Sequence, residues 1–158
     1  MVNYDNSGRF HERKNPRLKN YDYAQQGYYF VTICTSEKKC IFGDTNQLSV
    51  FGFIAYDALQ EIPKHFPDVE IDKFVVMPNH IHAIIVLKKA GVGLSLVVGQ
   101  YKAYVTKKIH NISSEQKVWQ SSFHDHVIRG EPDYQRIWEY IDTNPLRWQE
   151  DCFYRSKE

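Results

Sequence analysis

Apolar residues recur along the chain with two different periods, and the alternation between them predicts the order of elements. Residues 28–35, Tyr28-Tyr29-Phe30-Val31-Thr32-Ile33-Cys34-Thr35, are aromatic and β-branched with no polar face, the pattern of a strand covered on both sides. Between Phe51 and Phe66, the residues Ile54, Ala58, Leu59 and Ile62 recur at helical spacing, and Pro63 is placed to kink or end that helix in its last turn. Residues 71–87 read as two strands, IDKFVVM and HIHAIIVL, joined at Pro78-Asn79, a dipeptide with turn chemistry. From Ser95, the expected N-cap, to Ile109, the residues Val97, Val98, Tyr101, Tyr104, Val105 and Ile109 share one side of a helix and lysines occupy the other. Phe123 to Ile128 supplies a further strand. Gly130-Glu131-Pro132-Asp133 then opens a last helix with acids and proline in its first turn. That helix must stop at Asn144, because Pro145 disfavours the α conformation in the residue before it. The order strand, helix, strand, strand, helix, strand, helix predicts an α+β domain. It is a ferredoxin-like βαββαβ antiparallel sheet with helices on one face, followed by a C-terminal helix.

Length and composition narrow this further. The chain has 158 residues, 42% hydrophobic and 25% charged, which suits one globular domain and excludes a disordered or collagen-like chain. Residues 1–20 read as a basic lead, carrying Arg9, Arg13, Lys14, Arg17 and Lys19 against Asp5 and Glu12, and residues 21–158 as the domain itself. The formal net charge of +1 neither announces nor excludes a polyanionic partner, so the local basic stretches matter more than the total. No apolar run approaches the ~20 residues needed to cross a bilayer, and the first residues hold no apolar signal-type core. No membrane association and a cytoplasmic location are therefore expected. Cys34, Cys40 and Cys152 form no CxxC pair, and three thiols cannot close into a disulfide framework, so they read as ordinary reduced cysteines.

Two constellations can carry chemistry. In His80-Ile81-His82 the imidazoles lie two residues apart on a strand, so they point to one face with Cα atoms about 6–7 Å apart and can converge on one cation. Ile84 and Val86 continue that face, while Ile81, Ala83, Ile85 and Leu87 fill the other. The spacing alone also suits a pair of structural histidines. On the last helix, Tyr134, Ile137, Trp138 and Ile141 form the apolar stripe that should dock on the sheet. Tyr140 lies roughly 110° from the centre of that stripe, with Asn144 one turn further on the same side. A tyrosine there can offer a nucleophile and the amide a metal ligand, or the pair can be a boundary tyrosine above a helix-ending asparagine. A phenol with an ordinary pKa near 10 needs a base, a cation or a polarised electrophile to react.

MPNHIHAIIVL, taken with EYIDTNP and the intervening VWQSSFHDHVIRGE, resembles the single-tyrosine HUH transposases of the insertion-sequence-200-like superfamily. The opening NYDYAQQGYYFVTICT is similar to their REP-associated branch. The resemblance spans roughly residues 15–150. It implies that His80 and His82 bind a divalent metal, Mg²⁺ or Mn²⁺, that Asn144 is the third ligand, and that Tyr140 is the nucleophile, with Tyr134 the competing candidate. It further implies cleavage and rejoining of single-stranded DNA at hairpin-containing ends through a 5′-phosphotyrosine, in agreement with the absence of a phosphate-binding GxxxxGK[ST] loop. His126 is an expected accessory to the scissile phosphate. Arg9, Arg13, Lys14, Arg17, Lys102, Lys107, Lys108 and Arg129 are the expected DNA-binding cations. A homodimer is compatible with the superfamily, as is a monomer. Two other readings stay open: a DNA-hairpin-binding module of the same fold without strand transfer, and a metal-dependent phosphohydrolase using water.

Overall fold

Four strands hydrogen-bond into one antiparallel sheet in the computed structural model, which describes residues 21–156. β1 (Gly27–Cys34), β2 (Val69–Met77), β3 (His80–Leu87) and β4 (His124–Val127) lie in the order β2-β3-β1-β4. α1 (Val50–His65) connects β1 to β2, α2 (Leu94–His110) connects β3 to β4, and α3 (Glu131–Thr143) follows β4. This is the ferredoxin-like architecture that the element order predicts. No helix among the described residues is long and apolar enough to cross a membrane.

β3 is buried along its whole length because its two sets of side chains meet different layers. Ile81, Ala83, Ile85 and Leu87 enter the larger core, with Ala58, Leu59 and Ile62 of α1 and Val97, Tyr101 and Val105 of α2. Ile84 and Val86 point the other way, into a smaller core with Phe30, Ile137 and Ile141. The last helix therefore covers the face opposite α1 and α2. Each fully buried aliphatic side chain is worth ~1.5–3 kcal/mol. The larger core accordingly carries most of the stability, and the smaller one seats α3.

Local chemistry sets the helix limits. Ser49 Oγ accepts from Gly52 N at 3.1 Å and caps α1. Gly52 has no alternative, since a Cβ there would stand 2.2 Å from the Phe42 carbonyl oxygen. Pro63 sits inside the last turn of α1, which ends two residues later. α2 begins at Leu94 behind a Gly93 cap rather than behind Ser95. Leu94 is fully buried and its N–H donates to the Tyr23 carbonyl at 3.0 Å, so tertiary contact overrides the local capping preference.

β2 shifts register between Ile71 and Lys73, a bulge that brings both Asp72 and Lys73 to α3. Tyr134 Oη donates to Asp72 Oδ2 at 2.5 Å, and Lys73 Nζ pairs with Asp142 at 2.7 Å. Trp138, expected in the docking stripe, is exposed instead. Ile137 and Ile141 fill the sheet-facing side, and the Trp138 ring lies 3.9 Å beneath the Lys73 ammonium. Beyond α3 the chain continues as a 3₁₀ segment, Asn144–Glu150, which turns back across the sheet end that carries His80.

Candidate active site

His80 and His82 project from the start of β3 onto the α3 face, as the period-two pattern requires, with ring centroids 4.5 Å apart and both side chains buried. The Pro78-Asn79 turn fixes the first of them. Asn79 Nδ2 donates to the Lys38 and Phe153 carbonyls at 3.0 and 2.7 Å, so the atom facing His80 is Oδ1, and it accepts from His80 Nδ1–H at 2.8 Å. The His80 proton is thereby placed on Nδ1 and a bare lone pair is left on Nε2. His82 Nδ1 is engaged by Thr32 Oγ1 at 2.8 Å, across the β1–β3 pairing that sets Thr32 opposite His82.

His80 Nε2, His82 Nε2 and Asn144 Oδ1 are all buried without a hydrogen-bond partner. Burial lowers the His80 pKa to about 3, opposed in part by the Asn144 amide. Burial, then the neighbouring His80, holds His82 well below the usual imidazole range. Both rings are therefore neutral at physiological pH. Orphaned buried polar atoms are unfavourable by about 1–3 kcal/mol each. Two neutral imidazole lone pairs and an amide oxygen form a donor set that fits a divalent cation. Asp151 joins the cluster, with one ligand atom each from His80, His82 and Asp151 lying within 4.8 Å of one another.

Tyr140 closes one side of this cluster. Its ring stands edge-on to His82 at 5.2 Å and to Phe30 at 6.2 Å, and its Oη donates to Asp151 Oδ2 at 3.4 Å. Burial, followed by the Asp151 charge, raises its pKa well above the ordinary tyrosine value. Tyr134 lies elsewhere on α3, with its ring 5.9 Å from Tyr28 and its hydroxyl on Asp72; that hydrogen bond, more than burial, lifts its pKa to about 12.

Of the other sequence candidates, His126 lies on the same face, opposite Phe30, but its Nε2 is taken by Asp133 Oδ2 at 2.7 Å. Burial would raise the Asp133 pKa. The bonds from His126 and from Arg129 N hold it below the usual carboxylate range instead. The pair ties β4 to the first turn of α3. Lys102 Nζ donates to the Gln120 and Ser122 carbonyls at 2.7 and 2.8 Å and anchors that loop. Lys107 and Lys108 are exposed on α2, on the opposite side of the sheet from Tyr140, and Arg129 is exposed at the corner between β4 and α3. Arg9, Arg13, Lys14 and Arg17 fall outside the described residues.

In the segment after Pro145 the sequence reads Trp148 as a core or lid aromatic and assigns no role to Asp151 or Phe153. Trp148 and Phe153 pack their rings on His80 at 5.9 and 4.6 Å, and Asp151 reaches both Tyr140 and Asn144. No periodicity marks this stretch, and only its density of aromatic residues around the Glu150-Asp151 pair distinguishes it.

Comparison with known proteins agrees with the fold. An uncharacterized protein of Haemophilus influenzae is 37% identical over 98% of this chain and 99% of its own length. The REP-associated tyrosine transposase of Escherichia coli is 31% identical over 49% of this chain and 45% of its own. Among solved structures, a REP-associated tyrosine transposase bound to a REP hairpin superposes with a TM-score of 0.61 at 23% identity, covering 83% of this chain and 73% of that one, a likeness of fold. The model of the IS200-like transposases matches residues 22–144, from ahead of β1 through Asn144, and the chain belongs to that family.

Proposed function

We propose that this transposase cuts and rejoins single-stranded DNA at hairpin-containing sequences by transesterification, with Tyr140 as nucleophile. The observation that carries the reading is the convergence of three buried, unpartnered donor atoms, His80 Nε2, His82 Nε2 and Asn144 Oδ1, beside a tyrosine on the same face. Tyr140 enters as a neutral phenol. As its Oη bonds to phosphorus, the bond from phosphorus to the 3′ oxygen breaks and the phenolic proton passes to that oxygen, directly or through water. The products are a 5′-phosphotyrosine and a free 3′-OH. The phosphodiester energy is kept in the covalent link, so the reverse attack by a 3′-OH reseals a strand with no nucleotide cofactor. A divalent cation, Mg²⁺ or Mn²⁺, held by His80, His82 and Asn144 would polarise the phosphate and stabilise charge on the leaving oxygen. His80 and His82 need lose no proton to receive it, because burial already keeps them neutral.

In this reading residues 21–158 are the catalytic domain, and the basic residues 1–20 supply Arg9, Arg13, Lys14 and Arg17 to DNA phosphates, with Arg129 adding a cation at the corner between β4 and α3. His126 acts through Asp133, seating the helix that bears Tyr140.

The test uses wild type and Tyr140→Phe with hairpin oligonucleotides labelled at either end, in Mn²⁺, resolved on a denaturing protein gel. Label retained by wild type from the 3′-labelled strand alone, and by the variant from neither, is the expected result. Cleavage without a covalent adduct and with equal activity in Tyr140→Phe would instead establish a phosphohydrolase. Hairpin binding without cleavage would establish a binding module.

A further inference from the structure

We propose that Asp151 is a positioning residue that makes Asn144 a metal ligand and holds Tyr140 beside it. The inference rests on the metal-dependent reading above and extends it to a residue outside the family match, which ends at Asn144. A side-chain amide presents either its oxygen or its nitrogen to a given neighbour, and only the oxygen can bind a cation. Asn144 Nδ2 donates to Asp151 Oδ2 at 2.7 Å, so its Oδ1 is the end left without a hydrogen-bond partner in the buried cluster that holds the two Nε2 atoms. The carboxylate is itself held in place. Its Oδ1 accepts from Phe153 N at 2.8 Å, and the turn is closed by Asp151 N on the Trp148 carbonyl and Tyr154 N on the Asp151 carbonyl. The same Oδ2 accepts from Tyr140 Oη at 3.4 Å, so one carboxylate oxygen spaces the nucleophile from the third ligand.

Asp151→Asn is nearly isosteric and reverses this logic. With its one oxygen kept on Phe153 N, it turns an NH₂ toward Asn144 and Tyr140. Two NH₂ groups cannot face each other, so Asn144 rotates its oxygen away from the histidines. Outer-shell partners of metal ligands are worth about 10–100-fold in affinity. The experiment titrates Mn²⁺ into the DNA-free full chain, with free Mn²⁺ followed by electron paramagnetic resonance, for wild type, Asp151→Asn, Asn144→Ala, the double variant and His80→Ala. Expected are a loss of about 10–100-fold in Asp151→Asn and no additional loss when Asp151→Asn is added to Asn144→Ala, since one residue acts through the other. A further loss in the Asn144→Ala background would mean that Asp151 binds the ion itself and overturns the proposal. Full affinity in Asp151→Asn alongside a weakened His80→Ala overturns the positioning role alone. A chain that binds no Mn²⁺, or whose binding ignores His80→Ala, overturns the metal reading together with it.

Discussion

Replacing Asn79 by alanine tests how much of the site is held by one turn residue. The Asn79 side chain is fully buried and makes three hydrogen bonds, two donated to the Lys38 and Phe153 carbonyls and one accepted from His80 Nδ1. At a net ~1 kcal/mol each, their loss alone amounts to about 3 kcal/mol. Alanine also leaves the buried His80 N–H without an acceptor and the two carbonyls short of a donor, which raises the estimate to about 3–5 kcal/mol. Domains of this size have 5–15 kcal/mol in total, so the variant stays folded near room temperature, with a Tm lower by about 10 °C or more. The comparison is Thr32→Val, near-isosteric, which removes only the bond between Thr32 Oγ1 and His82 Nδ1 and should lose about 1 kcal/mol. Urea unfolding followed by tryptophan fluorescence measures both. Because Asn79 also sets the His80 tautomer, Asn79→Ala should weaken Mn²⁺ binding about 10–100-fold as well. An Asn79→Ala variant no less stable than Thr32→Val, with Mn²⁺ affinity intact, would refute the account of the turn.

Other outcomes follow from the same geometry. His80 has a folded pKa of about 3 against 6.5 for a free imidazole, so between those values the unfolded chain binds more protons and stability decreases as the pH is lowered, by up to about 1.4 kcal/mol per unit; unfolding titrations at pH 7.5 and 5 that coincide would contradict this. Mn²⁺ at about a hundred times its Kd should stabilise the wild-type chain by ~2.7 kcal/mol, a gain removed by EDTA and missing in His82→Ala, as read by thermal unfolding. Tyr140→Phe gives up the 3.4 Å bond to Asp151 and the hydroxyl's interaction with Asn144, so it should lose about 1 kcal/mol or less while forming no covalent adduct. Tyr134→Phe breaks the bond to Asp72 yet should still form the adduct on the same denaturing gel.

The fold was legible because its strands and helices keep their periods where they are buried. The alternation in HIHAIIVL assigned both faces of β3 and put the two histidines on one of them, since pleating leaves no other choice. Tyr140 could be set apart from the stripe by angle alone. The place of Trp138 could not be read, because its ring packs under Lys73 beside a bulge in β2, a contact between residues far apart in the chain. Lys102 looked like a free cation on a helical wheel, while its partners are loop carbonyls that no wheel displays. Asp151 was invisible for a related reason: its place comes from a 3₁₀ segment and two turns, which carry no repeating pattern.

The unequal layering of the sheet sets an order of opening within the native molecule. α1, α2 and the inner strands share one continuous core, whereas α3 is seated by a few buried side chains, Phe30, Ile84, Val86, Ile137 and Ile141 among the described residues, together with polar ties at its ends. The helix that bears Tyr140 thus rests on the smaller of the two cores, and it should lift from the sheet at a fraction of the global unfolding free energy. Amide hydrogens of α3 should then exchange through sub-global openings while those of β1 and β3 wait for complete unfolding. In the proposed reaction, a DNA end joined to Tyr140 would therefore ride on a separable helix while the histidine platform stays intact beneath it.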